Sequence, residues 1–172
     1  TTQTAFKLLA ELRKCTVTEL LTPQKDRLLQ PIFTKPLRAL PFGMQIGHID
    51  AITFALNLTP PLPEFNEELY RVLTEALALA DADDQALIGR TAQYKNMIAV
   101  TKLRVVAISL LSSAMACGDF LSTKHTQMRM KIISVYFKSL YSRSEEVVQV
   151  AYESLKTVLS QQSKLPKDLL QS

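Results

Sequence analysis

Leu103-Arg104-Val105-Val106-Ala107-Ile108-Ser109-Leu110-Leu111 and Val147-Val148-Gln149-Val150-Ala151-Tyr152-Glu153-Ser154-Leu155 decide how this chain is read. At an offset of 44 residues Leu103 lies over Val147, Val106 over Val150, Ala107 over Ala151 and Leu111 over Leu155. Both stretches place apolar side chains on one face of a helix. The alanine serves a packing purpose, because it lets a neighbouring helix approach where a leucine would hold it off.

Recurrence at this spacing resembles the second helix of a HEAT repeat, whose period is about 40–47 residues. The expected fold is all-α, an α-solenoid of antiparallel helix pairs. Downstream of the first stretch, Gly118-Asp119 breaks a long helix over about 92–117, and further helices follow over about 124–140 and 145–162. Ser142 and Glu145 have capping-box spacing, and Pro166 opens a short terminal helix. Upstream, a helix enters through Glu64, Glu67 and Glu68, whose carboxylates suit the positive end of its dipole, and continues to Ala80. Residues 44–58 keep helical spacing through Ile46, Ile49, Ile52, Ala55 and Leu56. Thr22-Pro23 suits a helix start, and Ala5, Leu8, Leu9 and Leu12 mark one face of a first helix. Residues 31–42 and 59–63 are Pro-rich connectors, the former extended against the stack, and 81–91 is a polar loop. Residues 1–172 form one helical segment, and no stretch alternates with the period of a strand.

Composition agrees. Apolar residues make up 47%, glycine occurs only four times, and tryptophan is absent, which favours helix over sheet. Cys15 and Cys117 are expected to be packed thiols in a reducing intracellular compartment. No apolar run is expected to reach the roughly 20 residues of a membrane span, and no signal peptide is read. Beginning at Thr1 without methionine, the chain is expected to be a piece of something longer.

Little here converges for catalysis, and the chain is not expected to be an enzyme or to hold a cofactor or metal. His48 and Asp50 stand two residues apart on a helix and point to different faces. His125, beside Lys124 at a helix start, is expected in solvent. Gly43 and Gly47 lack the lysine and hydroxyl ending of a phosphate loop, and Asp81, Asp83 and Asp84 lack the spaced ligands of a calcium loop. Charge is uneven: residues 61–90 hold seven acids and two bases, whereas 91–144 hold eight bases and one acid. Lys124, Lys131 and Lys138 recur at sevens and form one basic row, with Ile133, Phe137 and Leu140 on the other side. That row is a candidate contact for an acidic partner segment or for phosphates. Arg129 points toward the apolar side and needs a partner.

The run Lys35-Pro36-Leu37-Arg38-Ala39-Leu40-Pro41-Phe42-Gly43-Met44-Gln45-Ile46-Gly47-His48-Ile49-Asp50, with Phe65–Leu69 and Glu75–Asp84, resembles the HEAT region of the transformation/transcription domain-associated protein family and its fungal counterparts. These are very large pseudokinases of the phosphatidylinositol-3-kinase-related family. The resemblance covers most of the chain. It implies a nuclear, non-catalytic scaffold in SAGA-type and related histone acetyltransferase complexes, offering a surface to transcription activators and other subunits. It identifies no activator-contact residues. A second reading makes the segment a helical-repeat module that binds nucleic acid through its basic face, with affinity falling steeply as salt rises.

If Ala107 and Ala151 mark close helix crossings, either one changed to Leu overpacks the interface. The expected cost is about 1–3 kcal/mol in denaturant unfolding, and two neutral results would remove the repeat register.

Overall fold

A computed structural model of the chain describes residues 2–58, 61–63, 65–82, 94–117, 120 and 125–160. Helices and turns make up these residues, with no strand among them. The helices are α1 (Thr2–Leu12), α2 (Val17–Leu21), α3 (Lys25–Phe33), α4 (Phe42–Leu56), α5 (Glu67–Asp81), α6 (Tyr94–Met115), α7 (Thr126–Ser139) and α8 (Glu145–Ser160). The expected Pro166 helix, the Gly118-Asp119 break, Thr59-Pro60, Glu64, Lys124 and all of the 81–91 loop beyond Ala82 lie outside the described residues.

α6 packs against α4, α5 and α8, while α5 also touches α3 and α7, and α7 pairs with α8. The chain thus stacks in two layers, α3-α5-α7 and α4-α6-α8, as an α-solenoid of helix pairs. Leu103, Ala107, Ile108, Leu110, Leu111 and Ala114 of α6 are wholly buried. Each fully buried leucine contributes about 1.5–3 kcal/mol by leaving water.

The 44-residue correspondence carries over into burial. Leu103, Ala107 and Leu111 are buried, as are Val147, Ala151 and Leu155, while Val106 and Val150 are both half-buried. The sharpest difference lies between them: Ile108 is fully buried and Tyr152 is exposed. The difference follows from position, since α6 has helices on several sides and α8 packs on α6 and α7. Ile98–Met115 is in fact long and apolar enough to cross a membrane, contrary to the sequence expectation. Here that length serves as the central core helix, in contact with α4, α5 and α8.

Local chemistry explains where the elements start and stop. Thr16 and Glu19 form a reciprocal capping box that opens α2, with bonds of 3.1 and 3.0 Å. Thr22 does not cap the next helix. Its hydroxyl donates back to the Thr18 carbonyl at 2.6 Å, and Thr22–Gln24 makes a 3₁₀ turn into α3. Asn66 caps α5 by accepting from the Leu69 amide at 3.0 Å. α8 begins at Glu145, so Ser142 stands ahead of the cap and its hydroxyl accepts from the Ser144 amide at 3.2 Å. The capping box expected at Ser142 and Glu145 is therefore out of register.

The connector expected over 31–42 is shorter than that. Pro31 lies inside α3, which runs on to Phe33 because Leu29 and Ile32 are buried and outweigh one missing amide donor. The remaining connector carries a 3₁₀ turn over Leu37–Ala39 and is pinned to α5. Arg71 donates to the Phe33 carbonyl at 2.7 Å and to Glu75 at 2.8 Å, while Glu75 accepts from the Leu37 amide at 2.7 Å. One ion pair thereby holds both ends of the turn, and Leu37 is driven into the core.

Two expected faces turn out differently. On α1, Ala5, Leu8, Leu9 and Leu12 are exposed and Ala10 is buried, because α1 packs mainly on α2. On α7 the buried stripe is Met128, Ile132, Val135, Tyr136 and Ser139, and Phe137 is exposed. Contacts with α5, α6 and α8 together turn that stripe toward Ile132 and Tyr136.

Glu75→Ala removes the acceptor for a part-buried amide, at an expected cost of about 1–3 kcal/mol, whereas Glu75→Gln retains an acceptor and costs less. Amide hydrogen exchange at Leu37 is the measurement, and unchanged exchange in Glu75→Ala would show that the clamp does not hold the connector.

Candidate functional site

The basic row resolves into parts with different duties. Lys131 is exposed on α7. Lys138 reaches across to the end of α5, with Nζ 2.8 Å from the Asp81 carboxylate and 3.0 Å from the Asp81 carbonyl. Arg104 of α6 meets the same helix end, donating to the Ala80 carbonyl at 3.1 Å and also to the Ala82 carbonyl. Cations here complement the negative pole of α5 and satisfy carbonyls that no helical turn can reach.

Arg129 finds the partner its position demands. Fully buried, it donates to the Phe120 carbonyl at 2.6 Å and to the Thr126 hydroxyl at 2.9 Å. His125 is buried rather than solvated, with its ring stacked 5.1 Å from Phe120 and tilted 5.6 Å from Tyr70. Phe65 completes this aromatic group at 5.6 Å from Phe120. The start of α7 is thereby held against the start of α5, an arrangement that sequence neighbours alone do not reveal. Cys117 is buried with Sγ 3.4 Å from the Ser113 carbonyl, and Cys15 is half-buried. Among the described residues, no three His, Cys, Asp or Glu side chains gather where a metal could sit.

An apolar groove of about 280 Å³ opens where α1 to α4 meet. Phe6, Leu21, Leu28, Ile32, Phe54 and Leu62 line it, and Asp50 and Gln3 supply polar groups. Gly47 also borders it, where an added methyl would meet nothing within 4 Å. Partial desolvation at the groove raises the carboxyl of the largely exposed Asp50 above its ordinary value. The groove is shaped to hold apolar side chains. It contains no nucleophile and base within reach of one another.

The whole of residues 1–172 matches the model of the Tra1 HEAT repeat ring region. The chain belongs to the Tra1 HEAT repeat ring family. It is 48% identical over 174 residues to the SAGA complex/NuA4 acetyltransferase complex subunit Tra1 of Schizosaccharomyces pombe, covering 100% of this chain and 5% of that protein. It is 42% identical over 173 residues to the SAGA complex/NuA4 acetyltransferase complex subunit TRA1 of Saccharomyces cerevisiae, covering 99% of this chain and 5% of that protein. The mouse transformation/transcription domain-associated protein is 32% identical over 131 residues, 74% of this chain and 5% of that protein. The chain therefore spans about one twentieth of the length of these relatives. The likeness read from the 35–50 run and the helices after it is thus a family membership. In this Tra1-ring segment that run forms the pinned turn and the first half of α4, whose Ile49 and Ile52 are fully buried.

Because the folded state holds the Asp50 proton more tightly, the stability tied to this group rises as pH falls from its raised pKa toward the ordinary 3.8. Asp50→Asn should abolish that increment while leaving the melting temperature at neutral pH no lower. Parallel melting curves of the two proteins across the acid range would expose an error in this assignment.

Proposed function

We propose that this segment is a non-catalytic scaffold within a nuclear transcription coactivator subunit of histone acetyltransferase complexes. It presents protein-binding surface to transcription activators and to other subunits. Membership of the Tra1 ring family and the names of its SAGA and NuA4 relatives support the complex. The observation that carries the scaffold reading is the two-layer stack itself. It surrounds no reactive cleft among the described residues and leaves large apolar side chains outside. Leu8 and Leu12 on α1, and Tyr152 and Leu159 on α8, stand exposed at opposite ends of the helix order. Such faces suit stacking onto further helices of a longer chain.

Between those ends, the α1–α4 groove offers apolar anchorage on a segment of net charge +4. An acidic segment with large apolar side chains matches both features, through anchors in the groove and steering by charge. Nucleic acid is the weaker reading, because Lys138 is engaged with Asp81 and only Lys131 of the described row extends from α7 without such a tie.

The test uses the full-length protein purified from cells through a tag. Histone acetyltransferase activity should co-purify, and an immobilised acidic activation segment should retain the complex. Leu28→Glu at the groove rim should reduce that retention about tenfold, as expected for a charge placed in an apolar contact, without loss of acetyltransferase co-purification. Equal retention would exclude the groove as the activator contact, and absence of acetyltransferase activity would overturn the coactivator assignment.

A further inference from the structure

A second cleft opens between α6 and α8 and has chemistry opposite to that of the apolar groove. It measures about 300 Å³. Ser109, Ser112 and Ser113 line its α6 side, and Glu153, Ser154 and Thr157 line its α8 side. The α6 set follows i, i+3, i+4 spacing, and the α8 set does so once Val150 of the lining is counted ahead of it, so each presents one continuous helical face.

The hydrogens in this cleft are unevenly committed. Ser154 donates to the Val150 carbonyl at 2.7 Å, and Thr157 donates to the Glu153 carbonyl at 2.9 Å. Both hydroxyls consequently offer only lone pairs to anything that enters. Glu153 takes one bond from Gln149 at 3.1 Å on Oε1, which leaves Oε2 open, and among the described residues it is the only charged one on the lining. Behind this surface sits Tyr136, fully buried, with a hydroxyl that lacks a hydrogen bond of ordinary geometry. Burial pushes its phenol well above the ordinary value, partly offset by the nearby Ser112 and Ser154 hydroxyls. A buried hydroxyl without a partner is costly. Tyr136 can give its hydrogen to Ser154, whose own hydrogen is committed to Val150.

We infer that the α6–α8 cleft receives the side chain of an arginine or lysine from a basic protein segment. An acceptor-rich lining with one uncompensated carboxylate suits a group that has donors and positive charge but no lone pairs. A guanidinium meets that description with a planar fork of N–H groups, and an ammonium meets it as a compact charge. An anion would instead face Glu153. The net charge of +4 repels basic peptides in general, so their retention would report a local site rather than overall attraction. This inference does not depend on which complex the protein joins.

Fluorescence anisotropy on the full-length protein tests it, with short labelled peptides that alternate glycine with arginine, lysine or neutral citrulline. Arginine and lysine peptides should bind and the citrulline peptide should not. Glu153→Gln should weaken binding by about tenfold, in line with loss of a charge-assisted bond. Lys156→Gln, exposed on α8 outside the cleft, should change nothing. Binding that is equal in Glu153→Gln, or equal for the citrulline peptide, would overturn the inference. Glu153 is exposed, so its variant folds and the outcome is readable either way.

Discussion

A helix cannot bury its own apolar stripe, and in this protein α6 is the surface against which its neighbours do so. With α4, α5 and α8 all in contact with it, its side chains face core in several directions at once. That demand explains its composition, which is apolar enough to resemble a membrane span although it lies within a two-layer stack. It also explains the small residues at its crossings. Ala107 and Ala114 are wholly buried, and a larger side chain there would hold the layers apart. The stack grows from this helix outward, each pair covering the last.

Polar ties then fix what apolar packing leaves adjustable. Four cations in this segment point at backbone carbonyls: Arg71 at Phe33, Arg104 at Ala80, Arg129 at Phe120 and Lys138 at Asp81. Each joins separate elements, at a helix end or a turn where carbonyls have no helical partner. Much of the excess positive charge is thus occupied in joining elements of the segment to one another. Reading a basic stretch as a partner surface overlooks this internal use, and Lys138 is the instance.

The fold was legible wherever periodicity was strong. The Leu103–Leu111 and Val147–Leu155 stretches announce two helices that occupy matching positions, and their burial agrees at all four aligned sites. Short elements were harder. Thr16 and Glu19 stood in plain sight as a capping box, but α2 is only five residues long and gives no periodic signal. Pro31 was read as a stop because local propensity was weighed without Leu29 and Ile32. Individual faces were least legible. Which side of α1 or α7 is buried depends on neighbours distant in sequence, as does the placement of His125 among Phe65, Tyr70 and Phe120. The α6–α8 cleft had no sequence signature, since scattered serines carry meaning only once two helices bring them together.

The reach of the Arg71–Glu75 clamp has a consequence for how the polypeptide is made. It joins residues 38 positions apart, and the contact between Cys117 and the Leu56 carbonyl spans 61. Every such tie connects a helix to one emerging shortly after it. A ribosome delivering this chain could therefore see each hairpin settle onto its predecessor before the next is synthesised. Among the described residues no helix would have to wait for a distant terminus, so little apolar surface would stand uncovered during translation.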